Sequence, residues 1–527
     1  MKMKQGSRFG LAAASGLLLS LAFPSWLFPS FSPWTGWLAW FALVPALAAF
    51  EGAGSGRAFL AGWLGGFVYN ASTLYWIAGI AEMGWTRYPG WLAVSAALGL
   101  YWGAWGLVTS RAGPGRAILA APVASMARLS PKPETALAPV ASMARQTPAL
   151  LAPAAFVLLE MLRGFLFTGF PWTPLGASQW PVAPVFTSAR YVGVTGISLT
   201  VASVNAALYA AVRGTKAGKS ALTAGVMVAL LVLLSVSGLR EIAAEAVQGR
   251  DVRVAALQGS FTEEEKWKLP LSDILSRFSE LAAGASADRP EIMVWPETAT
   301  ARLLDREPKM VDRIARLAGT TGAAQVVGSL CERGLWGGGI NNGAFLIDRG
   351  GVKAGYAKMH LVPFGEYIPR WFKTMVPFSH KLTQGLADLS PGRAPDLLPL
   401  PGGGRAGVAV CYEAIFPSHG RNLARSGADL FINITNDTWY GLSAATYQHA
   451  LGPIARSVEC GRWTVRCANT GATMVIAPDG GFGTPPALFT PAVVVGSMRT
   501  STACTPYARW GDLPVIAWLL VAVVLSL

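Results

Sequence analysis

Long apolar runs fill the chain before Leu239 and after Leu513, and short apolar stretches broken by polar and turn residues lie between. A helix that crosses a hydrocarbon core needs about 20 predominantly apolar residues. Runs of that order occupy 10–28, 35–50, 58–80, 90–109, 149–168, 191–212 and 220–238, and a last one spans 512–527. The runs at 35–50 and 512–527 are short for the task. The pattern predicts a membrane α-helical bundle of about eight transmembrane helices. The first run follows "MKMKQGSRFG" with no small-residue cleavage site after it, so it reads as a retained helix rather than a secretion signal.

From Asp251 the periodicity changes. "DVRVAALQ" alternates like a strand, and "EIMVWPE", "AAQVVGSL", "NGAFLID", "RAGVAVCYE" and "ADLFINITND" are further strand candidates. "MVDRIARLAGTTGA" and "IFPSHGRNLARSGA" space their apolar residues as helices do. Strands alternating with helices imply a layered α/β domain. The expected organisation is a seven-helix bundle over 1–245, an α/β domain over 246–505 and a closing helix over 506–527.

Composition sharpens this picture. Only 14% of the 527 residues are charged, against about one quarter in soluble domains, and the mean hydropathy is +0.40. The net charge of +14 is distributed as a topology signal. With a cytoplasmic N-terminus, one side collects Lys2, Lys4, Arg8, Arg57, Arg111, Arg116, Arg128, Lys132, Arg145, Arg213, Lys216 and Lys219. The other has Arg87 and Arg163, offset by Glu82 and Glu160. Positive residues favour the cytoplasmic side, which places the region after Leu239 outside the cytoplasm. The basic balance therefore needs no nucleic acid. "APVASMAR" occurs twice, at 121–128 and 138–145, a local duplication too short for a solenoid.

Three reactive residues end strand-like segments: Glu297 in "VWPETA", Lys358 in "GYAKMHLVPFGEYIP" and Cys411 in "VAVCYEAIF". A lone cysteine ending an apolar strand is ordinarily a packing residue. Here a carboxylate and an ammonium complete a set. A thiol attacks an acyl carbon as thiolate, and its ordinary proton affinity leaves little thiolate at neutral pH. A carboxylate can take that proton, and a lysine can keep the pair from becoming two repelling anions and stabilise the oxyanion that follows. Such a set performs acyl transfer without histidine. The four histidines fall in no metal-ligand spacing, and "PGGGR" lacks the lysine and helix of a phosphate loop. No metal and no cofactor are implied.

Glu, Lys and Cys in that order, each closing a strand, resemble the nitrilase superfamily. "KMHLVPFGEYIP", "CYEAIFP", "NITNDTWYG" and "RCANTG", downstream of an apolar bundle, are similar to the apolipoprotein N-acyltransferase family. The resemblance runs to "TPYARWGD" before the last helix and omits only the duplicated loop. It implies a nitrilase-like αββα sandwich as a periplasmic domain on a bundle in the bacterial inner membrane. It also implies a ping-pong reaction: a fatty acyl chain passes from a phospholipid to a cysteine thioester, then to the α-amino group of a diacylglyceryl-cysteine lipoprotein. Cys411 would be the nucleophile, Glu297 the general base, Lys358 the oxyanion stabiliser and Glu366 a supporting carboxylate.

Tyr412 and Glu413 match the residues flanking the nucleophile. Asn342, Pro369, Asn436 and Trp439 match pocket and loop positions, and Trp172 and Trp267 match lipid-handling aromatics. Plainer readings stand beside these: Glu366 as a surface carboxylate near Arg370, Trp439 and Tyr440 as core aromatics, Trp172 as an interfacial belt residue, His360 as a hydrogen-bonding residue. The "YQHALGP" stretch has Tyr447 where the family often has histidine. Cys331, Cys460, Cys467 and Cys504 read as packing residues, with any disulfide left open. Trp371 and Phe372, in an aromatic and cationic stretch, suit a lid dipping into a headgroup layer. The implied partners are a phospholipid donor, a lipoprotein acceptor and the bilayer, with a monomer as default. Two other functions fit parts of the pattern: a membrane-tethered amidase for small amides, and a non-catalytic scaffold.

Overall fold

The computed structural model describes residues 3–111, 147–214, 218–332, 339–369, 374 and 388–524. The duplicated "APVASMAR" segments and the lid residues Trp371 and Phe372 lie outside these. The chain divides into two compact units. One comprises Met1–Gly79, Trp85–Val236 and Asp512–Leu527, and the other Ile80–Gly84 with Ser237–Gly511.

In the first unit, helices lie over the predicted apolar runs: α1 (Gln5–Ser20), α2 (Val44–Phe50), α3 (Ser55–Thr73), α4 (Arg87–Arg111), α5 (Thr147–Arg163), α6 (Ala189–Val212) and α7 (Gly218–Gln248), with Leu513–Val524 last in the chain. Among the described residues three segments are long and apolar enough to cross a membrane, Met83–Arg111, Ala189–Val212 and Ser220–Glu245. Leu222, Val226, Leu230 and Leu233 form an exposed apolar stripe along α7. An exposed apolar face of this kind suits a helix that meets lipid.

Small residues set the closest packing in this unit. Gly62 and Gly66 on α3 face Gly99 and Gly103 on α4, one GxxxG spacing on each helix. A Cβ at Gly62 would fall 2.2 Å from the Trp102 carbonyl oxygen. That approach brings backbones together where the hydrophobic effect gives helices in lipid no reason to associate. At one end of the unit, Arg8 Nη1 donates to the carbonyls of Ala49 (2.7 Å) and Glu51 (2.6 Å), and the Glu51 carboxylate pairs with Arg213 at 2.8 Å. Elsewhere the Glu160 carboxylate accepts from Leu175 N–H and Ser198 Oγ, and Arg163 donates to the Trp172 carbonyl.

The second unit is built on two sheets. Strands β1 (Asp251–Gln258), β2 (Ile292–Val294), β3 (Ala324–Cys331), β4 (Asn341–Asp348) and β5 (Gly351–Ala357) join β11 (Ala492–Arg499) in the order β11-β1-β2-β3-β4-β5. The other sheet runs β10-β9-β8-β7-β6, from β6 (Leu398–Pro399), β7 (Arg405–Val410), β8 (Leu430–Thr435), β9 (Thr464–Ala468) and β10 (Met474–Ile476). The centre of each is parallel: β1, β2 and β3 in the first, β7, β8 and β9 in the second.

Strand alternation assigns the layers. Val252, Val254, Ala256, Ile292 and Val294 meet Val408, Val410, Ile432, Ile434 and Val465 in a core between the sheets. Ala255, Leu257, Met293 and Trp295 point the other way, onto Ile274 and Phe278 of the helix Leu271–Ala285 and Met310 and Ile314 of the helix Pro308–Thr321. Leu423 and Ala424, from the helix Pro417–Arg425, and Cys460, at the end of the helix Ala445–Cys460, cover Phe431 on the far side. The result is the αββα sandwich expected from the resemblance. Parallel strands covered on both faces read as continuous apolar runs, which is why "VVGSL" and "LFINI" carry so few charges.

Replacing Gly62 by Ala should lower the thermal midpoint of the purified protein, at a cost of about 1–3 kcal/mol for overpacking. Gly56→Ala, where a Cβ has nothing within 4 Å, is the control and should leave the midpoint unchanged or slightly raised. Equal midpoints for the two variants would show that the α3–α4 approach is not limiting.

Candidate active site

β7 buries Ala406 through Val410, then the chain turns sharply at Cys411. Cys411 has φ +52°, a left-handed conformation that non-glycine residues adopt rarely. It opens a 3₁₀ turn, Cys411–Ile415, that carries Glu413 back beneath the strand end. The fully buried Glu413 carboxylate accepts from Val410 N–H (2.8 Å), Met359 N–H (2.6 Å), His360 N–H (3.1 Å) and Tyr356 Oη (2.7 Å). One carboxylate thus ties the strand that ends at Cys411 to the segment bearing Lys358. Strain at a single reactive residue persists only where its surroundings hold it this firmly.

Lys358 follows β5, and its N–H donates to the Asn342 carbonyl on β4 at 2.8 Å. Its buried ammonium donates to Glu366 Oε1 at 2.9 Å and Glu297 Oε1 at 3.2 Å. Asn342 Nδ2 reaches the same two oxygens, at 3.0 and 2.7 Å. Glu297 sits just beyond β2, and its second oxygen accepts Asn436 N–H from the end of β8 at 2.9 Å. Glu366 is steadied by Val362 N–H at 2.8 Å. The carboxylate read as a surface group in the plainer alternative is therefore a partner of the lysine.

The charges follow from this packing. Burial raises the proton affinity of Glu297, but the Lys358 ammonium and the Asn342 amide outweigh it and hold the carboxyl below its ordinary value. Burial alone would depress Lys358, yet Glu297 and Glu366 keep it well above the usual lysine range. Burial and the Glu297 charge push the Cys411 thiol far up, with Lys358 pulling the other way. At rest the site holds the Cys411 thiol, the Lys358 ammonium and the Glu297 carboxylate. Any reaction in which this sulfur attacks carbon would need its proton removed as the new bond forms.

A second network supports the cysteine from the other side. His449 places Nε2 3.1 Å from the Cys411 carbonyl oxygen and Nδ1 2.9 Å from Asp437 Oδ1. Asp437 also accepts from Thr435 Oγ1 (2.9 Å), Thr446 Oγ1 (2.6 Å) and Arg466 Nη2 (2.6 Å). Burial opposes its ionisation, but Arg466 and His449 overcome this and hold the carboxyl well below the usual range. None of Asp437, Thr446 or Arg466 was singled out by sequence reasoning, although Asp437 lies inside "NITNDTWYG".

The remaining sequence-predicted residues are spread around this centre. Tyr412 is buried with its ring edge-on to Phe416, and Pro369 is buried. Asn436 Nδ2 donates to Glu263. Trp439 and Trp267 are exposed, so Trp439 is not the core aromatic of the plainer reading: its turn follows the strand end at the domain surface. Trp172 belongs to the helical unit, buried and stacked on Phe170. His360 stacks on Phe416. All five cysteines are free thiols, and Cys504 is exposed rather than packed, because it lies in the loop after β11. His360, Glu413 and His419 stand close enough to share an ion. The Glu413 oxygens are already committed to four donors, however, and His419 Nε2 lies 3.0 Å from the Val408 carbonyl. This cluster is better suited to hydrogen bonding than to a metal.

Comparison with known proteins bears on both halves of the chain. Residues 15–207 match the sequence model of the apolipoprotein N-acyltransferase N-terminal domain, and residues 253–503 that of carbon-nitrogen hydrolases. An apolipoprotein N-acyltransferase of Geobacter metallireducens is 35% identical over 97% of this chain and 93% of its own length. The chain belongs to the apolipoprotein N-acyltransferase family. Relatives of the same description include one from Bradyrhizobium diazoefficiens, 31% identical over 72% of this chain and 73% of its own. Another, from Rhodopseudomonas palustris, is 28% identical over 98% of this chain and 94% of its own. Among solved structures, an amidase of Nesterenkonia sp. AN1 is 20% identical, with a TM-score of 0.36 over 50% of this chain and 96% of that one.

Because Glu297 is held below the ordinary carboxylate value of 4.5, its basic form is lost only as pH falls through that depressed value. The acid limb of any reaction that uses it should therefore lie below pH 4.5, and Asn342→Ala should raise that limb by roughly one pH unit. A limb unmoved by the substitution would remove Asn342 from the control of the base. Truncating Glu413 to Ala should cost about 3 kcal/mol or more, since it strands several buried donors at once; chemical denaturation checks this.

Proposed function

We propose that Cys411 carries a fatty acyl group as a thioester and delivers it to the N-terminal amine of a lipoprotein. The enzyme is an acyltransferase of lipoprotein maturation, with a phospholipid as donor. The observation that carries the residue assignment is the Lys358 ammonium shared by Glu297 and Glu366 beside a strained, fixed Cys411. Sulfur attacks the ester carbonyl carbon while Glu297 takes the thiol proton. Lys358 faces the oxyanion. Collapse breaks the ester C–O bond, and the leaving glycerol oxygen takes the proton from Glu297, releasing lysophospholipid. In the second half, the α-amino nitrogen of a diacylglyceryl-cysteine attacks the thioester and Glu297 accepts its proton. The C–S bond then breaks, the amide is complete, and the proton returns to sulfur. Each intermediate charge meets a group already in place, which lowers the barrier without a cofactor.

Glu366 and Asn342 act here as supports that fix the lysine and the base. The exposed tryptophans Trp267 and Trp439 suit contact with lipid or acceptor, since one face of an indole is apolar and the other end can hydrogen-bond. The bundle belongs to a multi-pass membrane protein with about eight spans. Its orientation follows the Lys and Arg distribution and places the catalytic domain in the periplasm. Arg8, Glu51 and Arg213 meeting at one end of the helical unit support that reading, since they come from segments assigned to the cytoplasmic side. Trp172, pinned through its carbonyl by Arg163, belongs to this bundle and is assigned to lipid handling. The amidase and scaffold readings are not favoured, because the N-terminal half matches an acyltransferase domain that neither requires.

The direct test is the intact mass of the purified protein after incubation with phospholipid, beside Cys411→Ala. Wild type should gain one fatty-acyl increment that hydroxylamine removes, and the mutant none. No increment on folded wild-type protein would turn the reading toward hydrolysis of a soluble amide.

A further inference from the structure

None of the steps above uses Lys266, and sequence reasoning passed over it in favour of its neighbour Trp267. It lies on the short helix Glu263–Lys268, whose start is fixed by a capping box between Thr262 and Glu265. Lys268 on the same helix is solvent-exposed and pairs with Glu264, as a surface lysine does. The Lys266 side chain is only 1% exposed. Burying an ammonium costs several kcal/mol unless close partners repay it. Here, among the described residues, the repayment is thin: one long hydrogen bond to the Glu297 carbonyl oxygen at 3.5 Å, and Glu263 Oε1 at 3.9 Å. That Glu263 carboxylate is itself held by Asn436, whose N–H holds the Glu297 carboxylate.

The charge balance at the thiol shows what this costly placement can do. Glu297 and Glu366 both accept from the single Lys358 ammonium. Passing the Cys411 proton to Glu297 moves a negative charge onto sulfur, towards the ionised Asp437, and brings no new cation with it. We propose that Lys266 is the second cation of the active site, a positioning residue that stabilises negative charge on Cys411 and then on the tetrahedral oxyanion. Its charge is felt by Glu263, Glu297 and Cys411, and burial holds its proton affinity below that of a surface lysine. The titratable groups facing this cluster are Glu263 from the short helix, Glu297 beyond β2, Lys358 beyond β5, Cys411 beyond β7, and Asp437 and Tyr440 beyond β8. The oxyanion part rests on the acyl-transfer reading; the effect on the thiolate does not.

The test uses the full-length protein in detergent and Lys266→Met, which keeps the side-chain length and removes the charge. Carbamidomethylation of Cys411 by iodoacetamide at a fixed near-neutral pH, followed in time by peptide mass mapping that separates it from the exposed Cys504, gives an alkylation profile that reports thiolate. In Lys266→Met the alkylation rate at that fixed pH should fall roughly tenfold, the loss of thiolate expected when one stabilising charge is removed. Thioester formation at saturating phospholipid should fall about 100-fold with KM little changed, and Lys266→Arg should recover most of the loss. The thermal midpoint should hold or rise, since methionine removes a poorly paired buried charge. An unshifted alkylation profile in folded Lys266→Met would overturn the proposal, whatever the midpoint. If that variant does not fold, Lys266→Gln takes the same measurement with the same two outcomes. Should wild type form no thioester while its alkylation profile still differs from the variant's, the acyl-transfer reading fails and the thiolate role of Lys266 stands.

Discussion

Everything in the catalytic unit is arranged around one buried ammonium. Lys358 is held between Glu297 and Glu366, with Asn342 bridging the same two oxygens. Buried charges of this kind are tolerated only when their partners are close and rigid. That requirement fixes where β4, β5 and the segment after β2 must end. It also sets the resting protonation: Glu297 ionised, Lys358 charged and the Cys411 thiol neutral.

Cys411 is constrained with equal care. Cys411 sits in a left-handed conformation that the chain would leave if released. Glu413 holds it from below through Val410 and the Met359–His360 segment, and His449 meets its carbonyl from the other side. The Cys411 thiol is thus presented by two further carboxylates, Glu413 and Asp437. Such bracing would serve the proposed thioester carrier, whose acyl carbon would have to meet the same groups in both half-reactions.

The helical unit obeys a different rule. Its close contacts come from glycines, and its few buried charges serve local ends: Glu160 caps the Leu175 turn and Arg163 fixes the Trp172 carbonyl. In the sequence Glu160 and Arg163 looked like topology charges near a span end. Their partners show them holding the segment that follows α5. Burial of this kind is invisible to a count of charges, because it depends on which loop folds back.

The sequence alone determined the apolar runs, the switch to alternating strands at Asp251, and the order of Glu297, Lys358 and Cys411, because periodicity and strand ends are local properties of a chain. It also placed Glu366, Asn342 and Glu413 near the chemistry through the strings that contain them. The very short strands β6 and β10 escaped it, since a few residues carry little periodic signal and owe their state to a neighbouring strand. Only the tertiary structure decided that Glu297 and Glu366 share one lysine, that Asp437 and His449 brace the nucleophile, and that Lys266 is buried while Lys268 is not. These facts join residues 61 and 139 positions apart, such as Lys358 and Asn436 to Glu297. The balance between desolvation and pairing that governs their charges exists only once those distant segments have been packed together.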